Sequence, residues 1–407
     1  MVYIEPEFEP AKIPDTERYE GPNVDPNVFA LFPEGSQVQW SSTHGASFWA
    51  ISHKITVRLP AGNERDYFLK LFLHEKGKEM VRGEFESTKA WYDIVPENVP
   101  EPIGWGECAD RPGTFFLLLE FRDMVDEMPS AQDFVRIVAK GHQASESPTG
   151  KFGFHVTTFA GDHVSDNTWC DTWEEFFTRS MKYAMEREIQ VQGPHPELQE
   201  LEEKVLTKVI PRLIRPMETE GRKIKPCLLH GDLWHGNVGV DNVTDEPVLY
   251  DCGSLYGHNE CMGSIPPEKV MRLIYICCTD DHGMWRASRY RTNKPHVRAY
   301  WRTAEMSEPA EDQDDRHALY AARCDLAVSA MWYQNKRMRQ LGGVIRALEE
   351  FRRLVDKYSD GYEGYVATRA NQAAFSENQA SQPHNVGDDG SRLPQGLPSG
   401  QSVTATI

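Results

Sequence analysis

The residues of this chain best suited to chemistry lie in one short stretch, Leu229-His230-Gly231-Asp232-Leu233-Trp234-His235-Gly236-Asn237, followed fourteen residues later by Asp251. Asp232 and Asn237, five apart on a tight loop, can project into one site, and Asp251, at the end of the hairpin that follows, can return to it. An ionised carboxylate is the available proton acceptor near neutral pH, and hard Mg²⁺ prefers oxygen ligands. One Asp to accept a hydroxyl proton, with an Asn and a second Asp to hold Mg²⁺, is the layout of phosphoryl transfer. His-Gly-Asp alone reads equally well as a turn; Asn237 and Asp251 in register give it chemical meaning.

The upstream half supplies an independent check. Lys70 lies inside an apolar strand, on the face shared by Phe68 and Phe72, where a charge costs free energy unless it is paired. Glu84 borders the apolar stripe of the helix that follows and is a candidate partner. Taken apart, the two read equally well as a snorkelling lysine and a solvated glutamate. A strand Lys paired with a helix Glu, however, is how kinases position the α- and β-phosphates. The same layout makes Leu119-Glu120-Phe121 a hinge whose backbone binds adenine, although an ordinary buried strand fits the residues as well. The segment Ser41–Ser47 falls between two strand-like runs and is expected to be a loop covering the nucleotide. Thr43, Gly45 and Ser47 there can offer hydroxyls and backbone N–H groups to phosphate. It carries a single glycine, so no GxGxxG pattern is present.

Positioning these residues requires recognisable elements. Ile55, Val57 and Leu59 alternate with polar residues as on a half-buried strand, and 61–66 turns the chain into a second strand, Tyr67–Leu73. Val81, Phe85, Thr88 and Tyr92 follow the spacing of one helix face, ended by Pro96, Pro100 and Pro102. Phe115–Phe121 makes another strand. Beyond 130 the pattern is helical, over roughly 131–142, 172–190, 197–215, 267–279, 316–341 and 343–357, interrupted by a hairpin of Asn237–Val243 and Val248–Asp251. Strands first and helices after imply an α+β fold in two lobes, a small β-rich N-lobe at 35–122 and a larger helical C-lobe at 123–366. Residues 1–34, rich in Pro and Glu, read as a loose extension. Residues 367–407, with Phe375 their only aromatic, read as a disordered tail, because such a composition cannot offset its ordering entropy by burial.

Charge and composition narrow the classes further. The 407 residues carry 44 Lys and Arg against 62 Asp and Glu, a balance of −18. That counts against a nucleic-acid or membrane-surface partner, each of which needs a basic footprint. The eight cysteines show no CxxC and no zinc spacing, and read as reduced, mostly buried thiols. No signal pattern opens the chain, and the longest apolar run, Leu273–Cys278, is far below the about 20 residues of a membrane span. The expected location is cytoplasmic.

Taken together, HGDLW-x-GN, the aliphatic strand into Asp251, and Tyr256-Gly257-His258-Asn259-Glu260 resemble the fructosamine kinase, or ketosamine-3-kinase, family. So do Lys151-Phe152-Gly153-Phe154-His155, the Trp169–Phe177 segment, and the fourteen-residue spacing from Lys70 to Glu84. The resemblance covers roughly 36–366 and implies a bilobal protein-kinase-like fold of the aminoglycoside-phosphotransferase type. It implies ATP and Mg²⁺ as cofactors and phosphorylation of the sugar 3-hydroxyl of a ketosamine, ribulosamine or fructosamine, free or on protein lysines. The phosphorylated adduct then breaks down and frees the amine. By the same resemblance Asp232 is the base, Asn237 and Asp251 hold Mg²⁺, Lys70 contacts phosphate and Glu84 pairs with it. His235, His258 and Glu260 fall toward the substrate. The chain departs from the family at Met262, where relatives usually have an Asp that braces the catalytic loop, and at His235, where they usually have Ser.

Two other readings stand beside this one. A kinase of the same fold acting on an aminoglycoside, choline or another amino sugar would use the same catalytic residues with a different pocket. A catalytically silent binding protein on a kinase scaffold would keep the fold without turnover. A conventional protein kinase is disfavoured, since no DFG or APE pattern appears.

Overall fold

The computed structural model describes residues 20–46, 50–73, 75–125, 127–161, 163–260, 294–332 and 343–380. The chain divides into two compact units, 1–362 and 363–407. In the first, a short helix α1 (Pro26–Phe29) precedes strands β1 (Gln37–Ala46), β2 (Ala50–Arg58) and β3 (Glu64–Phe72). Helix α2 (Gly77–Tyr92) follows, then β4 (Pro102–Glu107) and β5 (Phe115–Glu120). The five strands form one antiparallel sheet in the order β1-β2-β3-β5-β4.

Strand alternation distributes this sheet between two cores. Leu69 and Leu71 point into a cluster with Ile55, Val57 and Phe116. Phe72 joins Met80, Val81, Leu117 and Leu119 on the opposite face, beneath α2, with Phe68 packed against them. Lys70 is therefore on the α2 side, as the alternation predicts. Helix α2 also reaches the other core: Trp91, fully buried, joins the cluster that holds Phe134 and Phe177. Gly141 makes room for it, since a Cβ there would lie 2.1 Å from the Trp91 ring. Replacing a buried Trp by Ala costs about 3–5 kcal/mol, so this end of α2 is firmly anchored.

The second lobe is helical, with α3 (Ala131–Ala144), α4 (Trp173–Gln192), α5 (Pro196–Lys204), α6 (Ile210–Ile214), α7 (Lys294–Tyr300) and α8 (Gln313–Met331), followed by a helix over Gly343–Lys357. Ser130 and Thr172 cap α3 and α4 by accepting the N–H of Asp133 and Glu175. Small strand pairs carry the loops: β6 (Met124–Val125), β10 (Val238–Asp241) and β11 (Pro247–Leu249) form one three-stranded sheet. The strands β7 (Thr158–Ala160) and β8 (His163–Ser165) pair together, as do β9 (Cys227–Leu229) and β12 (Leu255–Gly257). The five described cysteines are buried. No described helix is long and apolar enough to cross a membrane.

Three expectations need correction. Residues 20–34 are not loose: Val28 and Phe32 are buried in the sheet's outer core. Asp25, fully buried, accepts the N–H groups of Asn27, Ala109 and Asp110 at 2.9, 3.1 and 3.0 Å. Residues 41–46 are strand rather than loop, because they pair with β2 as far as Ala46↔Ile51. The tail beginning at 367 is helical as far as it is described, within a helix over Gly361–Ala380. Its Ala and Gln content favours helix, and the residues from Val366 to Phe375 are exposed. The expected helix at 267–279 lies outside the described residues.

Candidate active site

On β3, Lys70 is surrounded by apolar residues and is 8% exposed. Its ammonium is 2.9 and 3.0 Å from the two carboxylate oxygens of Glu84, on α2, and 3.0 Å from Oδ1 of Asp251. Burial alone would lower the lysine pKa, but Asp251 and Glu84 outweigh it and hold the group well above its ordinary value. Glu84 is pushed up, by burial first and then by repulsion from Asp251, against the pull of Lys70. Among the described residues, two carboxylates here share a single ammonium.

The loop after β9 turns sharply. Gly231 has φ +85°, and a Cβ there would lie 2.0 Å from the carbonyl oxygen of Gly253. Only glycine allows this approach, and it brings the Asp232 loop against the Asp251 loop. Asn237, 4% exposed, donates from Nδ2 to the Asp232 carbonyl at 2.7 Å and to its carboxylate Oδ2 at 2.9 Å. The loops are stitched together further: Tyr250 N–H donates to Asn237 O at 3.1 Å, and Gly253 N–H to His230 O at 2.9 Å. Asp251 itself sits at φ +58°, a region that Asp tolerates better than most residues. Its side chain is 42% exposed, so it can reach a ligand.

The donor set suits a hard divalent cation. Asn237 uses its amide nitrogen on Asp232, which leaves its carbonyl oxygen as a potential ligand beside the partly exposed Asp251 carboxylate. Among the described residues no group of three or more His, Cys, Asp or Glu could hold a metal. A site with one carboxylate and one amide oxygen is what Mg²⁺ uses when phosphates complete its shell.

Other expected residues fall elsewhere. His258 is fully buried between the Tyr320 hydroxyl at 3.1 Å and Ser307 Oγ at 2.9 Å. Burial, helped by the charge on Arg316, drives it far below the ordinary histidine pKa, so it is neutral. Glu260 is 1% exposed and pairs with Arg316, whose Nε and Nη2 lie 2.9 and 2.8 Å from Oε2; its other oxygen accepts the Ser307 N–H. Both are structural, which corrects the expectation that they face substrate. Arg316 completes its shell on the carbonyls of Pro309 and Ser307. Arg316 sits among Gln313, Asp314, Asp315 and His317 at the start of α8, and nothing local in the sequence marks the pair. His235 lies on a one-turn helix, His235–Asn237, with its ring edge-on to Trp234 at 4.9 Å.

The hinge and the covering strand are altered as well. The N–H of Glu120 donates to Glu101 O at 2.9 Å and that of Phe121 to Asp66 O at 3.2 Å, so neither is spare for a purine. Thr43 and Gly45 lie in β1 beside a register shift, and Ser47 lies outside the described residues. His44, between them, packs edge-on against Phe121 at 5.0 Å.

A five-stranded sheet bearing Lys70, a helix bearing its Glu partner, and a helical lobe whose adjacent loops bear Asp232, Asn237 and Asp251 define the protein-kinase-like fold. A solved candidate fructosamine-3-kinase from Thermobifida fusca shares it, with a TM-score of 0.57 and 22% identity over 80% of this chain and 99% of that one. An aminoglycoside phosphotransferase solved with AMP-PNP and hygromycin B has a TM-score of 0.51 at 14% identity, covering 81% of this chain and 97% of that one. The chain belongs to the fructosamine kinase family, whose model matches residues 35–265. Among curated relatives, a chloroplastic protein-ribulosamine 3-kinase of Oryza sativa subsp. japonica is 33% identical over 187 residues, 45% of this chain and 51% of that one. Ketosamine-3-kinase of Mus musculus is 30% identical over 216 residues, 47% of this chain and 66% of that one. The chain spans about half the length of the plant relatives it matches.

Proposed function

We propose that this protein is a ketosamine-3-kinase, transferring the γ-phosphoryl group of ATP to the sugar 3-hydroxyl of a ribulosamine or fructosamine. The observation that carries the reading is the closed set Lys70–Glu84–Asp251 beside Asp232–Asn237 in a fructosamine kinase family chain. Asp232 accepts the hydroxyl proton as the substrate oxygen bonds to the γ-phosphorus, and the bond from that phosphorus to the β,γ-bridging oxygen breaks. Asn237 fixes the Asp232 carboxylate through its 2.9 Å hydrogen bond, which orients the base before substrate arrives. Lys70, held cationic and aimed by Glu84, binds the non-transferred phosphates. Asn237 and Asp251 would hold Mg²⁺, which when bound offsets the phosphate charge. The pocket's excess of carboxylate over ammonium supports a cation here, since an anionic nucleotide must otherwise bind against it. Relatives named for ribulosamine and ketosamine support the acceptor class.

The base is tested by Asp232→Asn. Turnover in a coupled ADP-release assay with ribuloselysine should fall by about 10²–10⁴-fold, the range for a lost general base. Affinity for Mg-AMP-PNP should stay near that of the wild type. Retention of turnover would remove Asp232 from the base role.

A further inference from the structure

Three buried side chains that take no part in the proposed reaction join the helix carrying Glu84 to the loop carrying Asp251. Ser87 lies three residues beyond Glu84 on α2, and its Oγ donates to the Gly83 carbonyl at 2.7 Å while accepting the N–H of Ser254 at 2.9 Å. Ser254, three residues beyond Asp251, accepts at its carbonyl from Thr158 Oγ1 at 3.1 Å. Thr158 Oγ1 in turn accepts from Asn167 Nδ2 at 2.8 Å, and the same nitrogen donates to Val156 O at 2.9 Å. Asn167 is itself tied down, its backbone carbonyl accepting the Phe154 N–H at 3.0 Å. Ser87, Thr158 and Asn167 are 0, 0 and 4% exposed.

The donor directions leave no ambiguity, because each hydroxyl donates once to a carbonyl and accepts once from an N–H. The backbones meet closely along the same seam: a Cβ at Gly83 would lie 2.6 Å from Thr157 O, and one at Gly253 would lie 2.4 Å from Phe159 O. Helix α2 and the Asp251 loop are thus linked twice. One link is ionic, through Lys70, and the other is neutral, through Ser87 and Ser254. A nucleotide and its cation must compete for the charges of the ionic link. None of the neutral link's groups is charged, so it is unaffected when the ionic cluster rearranges.

We propose that Ser87, Thr158 and Asn167 are positioning residues, a neutral relay that holds Glu84 and Asp251 in register while Lys70 turns from carboxylates to phosphates. This rests on the kinase reading above, which gives Lys70, Glu84 and Asp251 their roles. Partners of this outer kind are worth about 10–100-fold in metal affinity or activity. Thr158→Val, nearly isosteric, removes one donor and one acceptor; Ser87→Ala removes a single oxygen and serves if Thr158→Val does not fold; Thr158→Ser restores the hydroxyl.

The test reads Mg-AMP-PNP affinity by calorimetry, kcat and KM for ATP, and amide exchange across 77–92 in the full chain. Thr158→Val and Ser87→Ala should each weaken Mg-AMP-PNP about tenfold and speed exchange in α2. Thr158→Ser should return to within about twofold of wild type, and the KM for ketosamine should not move. Variants that melt earlier yet keep wild-type affinity, kcat and α2 exchange would reduce the relay to ordinary packing and overturn the proposal alone. A wild type that binds no Mg-AMP-PNP would overturn the kinase reading and the relay with it.

Discussion

Consider the removal of Lys70. Its pair with Glu84 is nearly dry, with side chains 10 and 12% exposed and both carboxylate oxygens within 3.0 Å. Truncating one partner of such a pair strands the other charge and costs about 3–5 kcal/mol. The second contact, to Asp251, is 42% exposed on the acid's side and so is screened by solvent, but it leaves Lys70 a partner when Glu84 is removed. Lys70→Met keeps the chain's bulk and leaves Glu84 facing a second carboxylate. Glu84 already sits above the ordinary range, so taking a proton is easy and the loss falls at the low end, about 3 kcal/mol. Glu84→Gln leaves Lys70 with Asp251 and costs about 1 kcal/mol. In the double variant the buried charge is gone from both sides, so the two losses should fall short of additivity by about 2 kcal/mol. Urea unfolding of the four proteins at one pH measures this. Turnover behaves differently: it should drop at least about 10²-fold in Lys70→Met and stay down in the double variant, because the phosphate contact is absent from both. Additive stability losses, each below about 0.5 kcal/mol, would refute the dry pair.

Other consequences follow from the same geometry. Asp315 receives Arg353, Lys357 and the Tyr358 hydroxyl; burial would raise its pKa, but these three donors win and hold it at about 2. Its folded value lies below its unfolded one, so the stability it lends is present above about pH 4 and lost as pH falls toward 2. Asp315→Asn should therefore be about 1–2 kcal/mol less stable at pH 7 and show a flatter loss between pH 4 and 2, read by denaturant melts. Gly231→Ala places a Cβ 2.0 Å from Gly253 O at φ +85°, and should cost over about 10²-fold in kcat by prising the two catalytic loops apart. Wild-type kcat in that variant would show that the close approach is dispensable. Arg316→Met strands Glu260 at a site where both side chains are fully buried, and should cost about 3–5 kcal/mol in melts. His258→Asn should lower the melting temperature yet leave the ketosamine KM unchanged; a raised KM would return His258 to the substrate side.

The residues that the fold gathers at the candidate site were legible because each carries a local signal. Lys70 breaks an apolar alternation, Glu84 borders the apolar stripe of the following helix, and Asp232, Asn237 and Asp251 share one loop and hairpin. His258 and Glu260 misled because a polar residue beside a motif looks functional until its buried partner is known. Arg316 is 56 residues away, and nothing local announces that pairing. The small strands β9 and β12 escaped notice because three residues are too few to show alternation. Strand β4 opens on Pro102 and contains Gly104 and Gly106, signals that read as loop but are tolerated at a sheet edge. The Ser87–Thr158–Asn167 relay was invisible for a related reason. Serine in a helix and threonine in a strand are unremarkable, and their meaning arises from contacts across 167 and 96 residues.

The central claim is that this site phosphorylates the sugar of a ketosamine. The most direct measurement incubates the purified chain with Mg-ATP and a panel of ribuloselysine, fructoselysine, an aminoglycoside and choline, and follows products by ³¹P NMR and mass spectrometry. The account predicts a phosphate ester on carbon 3 of the ketosamines, absent with Asp232→Asn, and no product from choline or the aminoglycoside. Phosphorylation of the aminoglycoside or choline with the ketosamines untouched, or nucleotide binding with no acceptor modified, would contradict it.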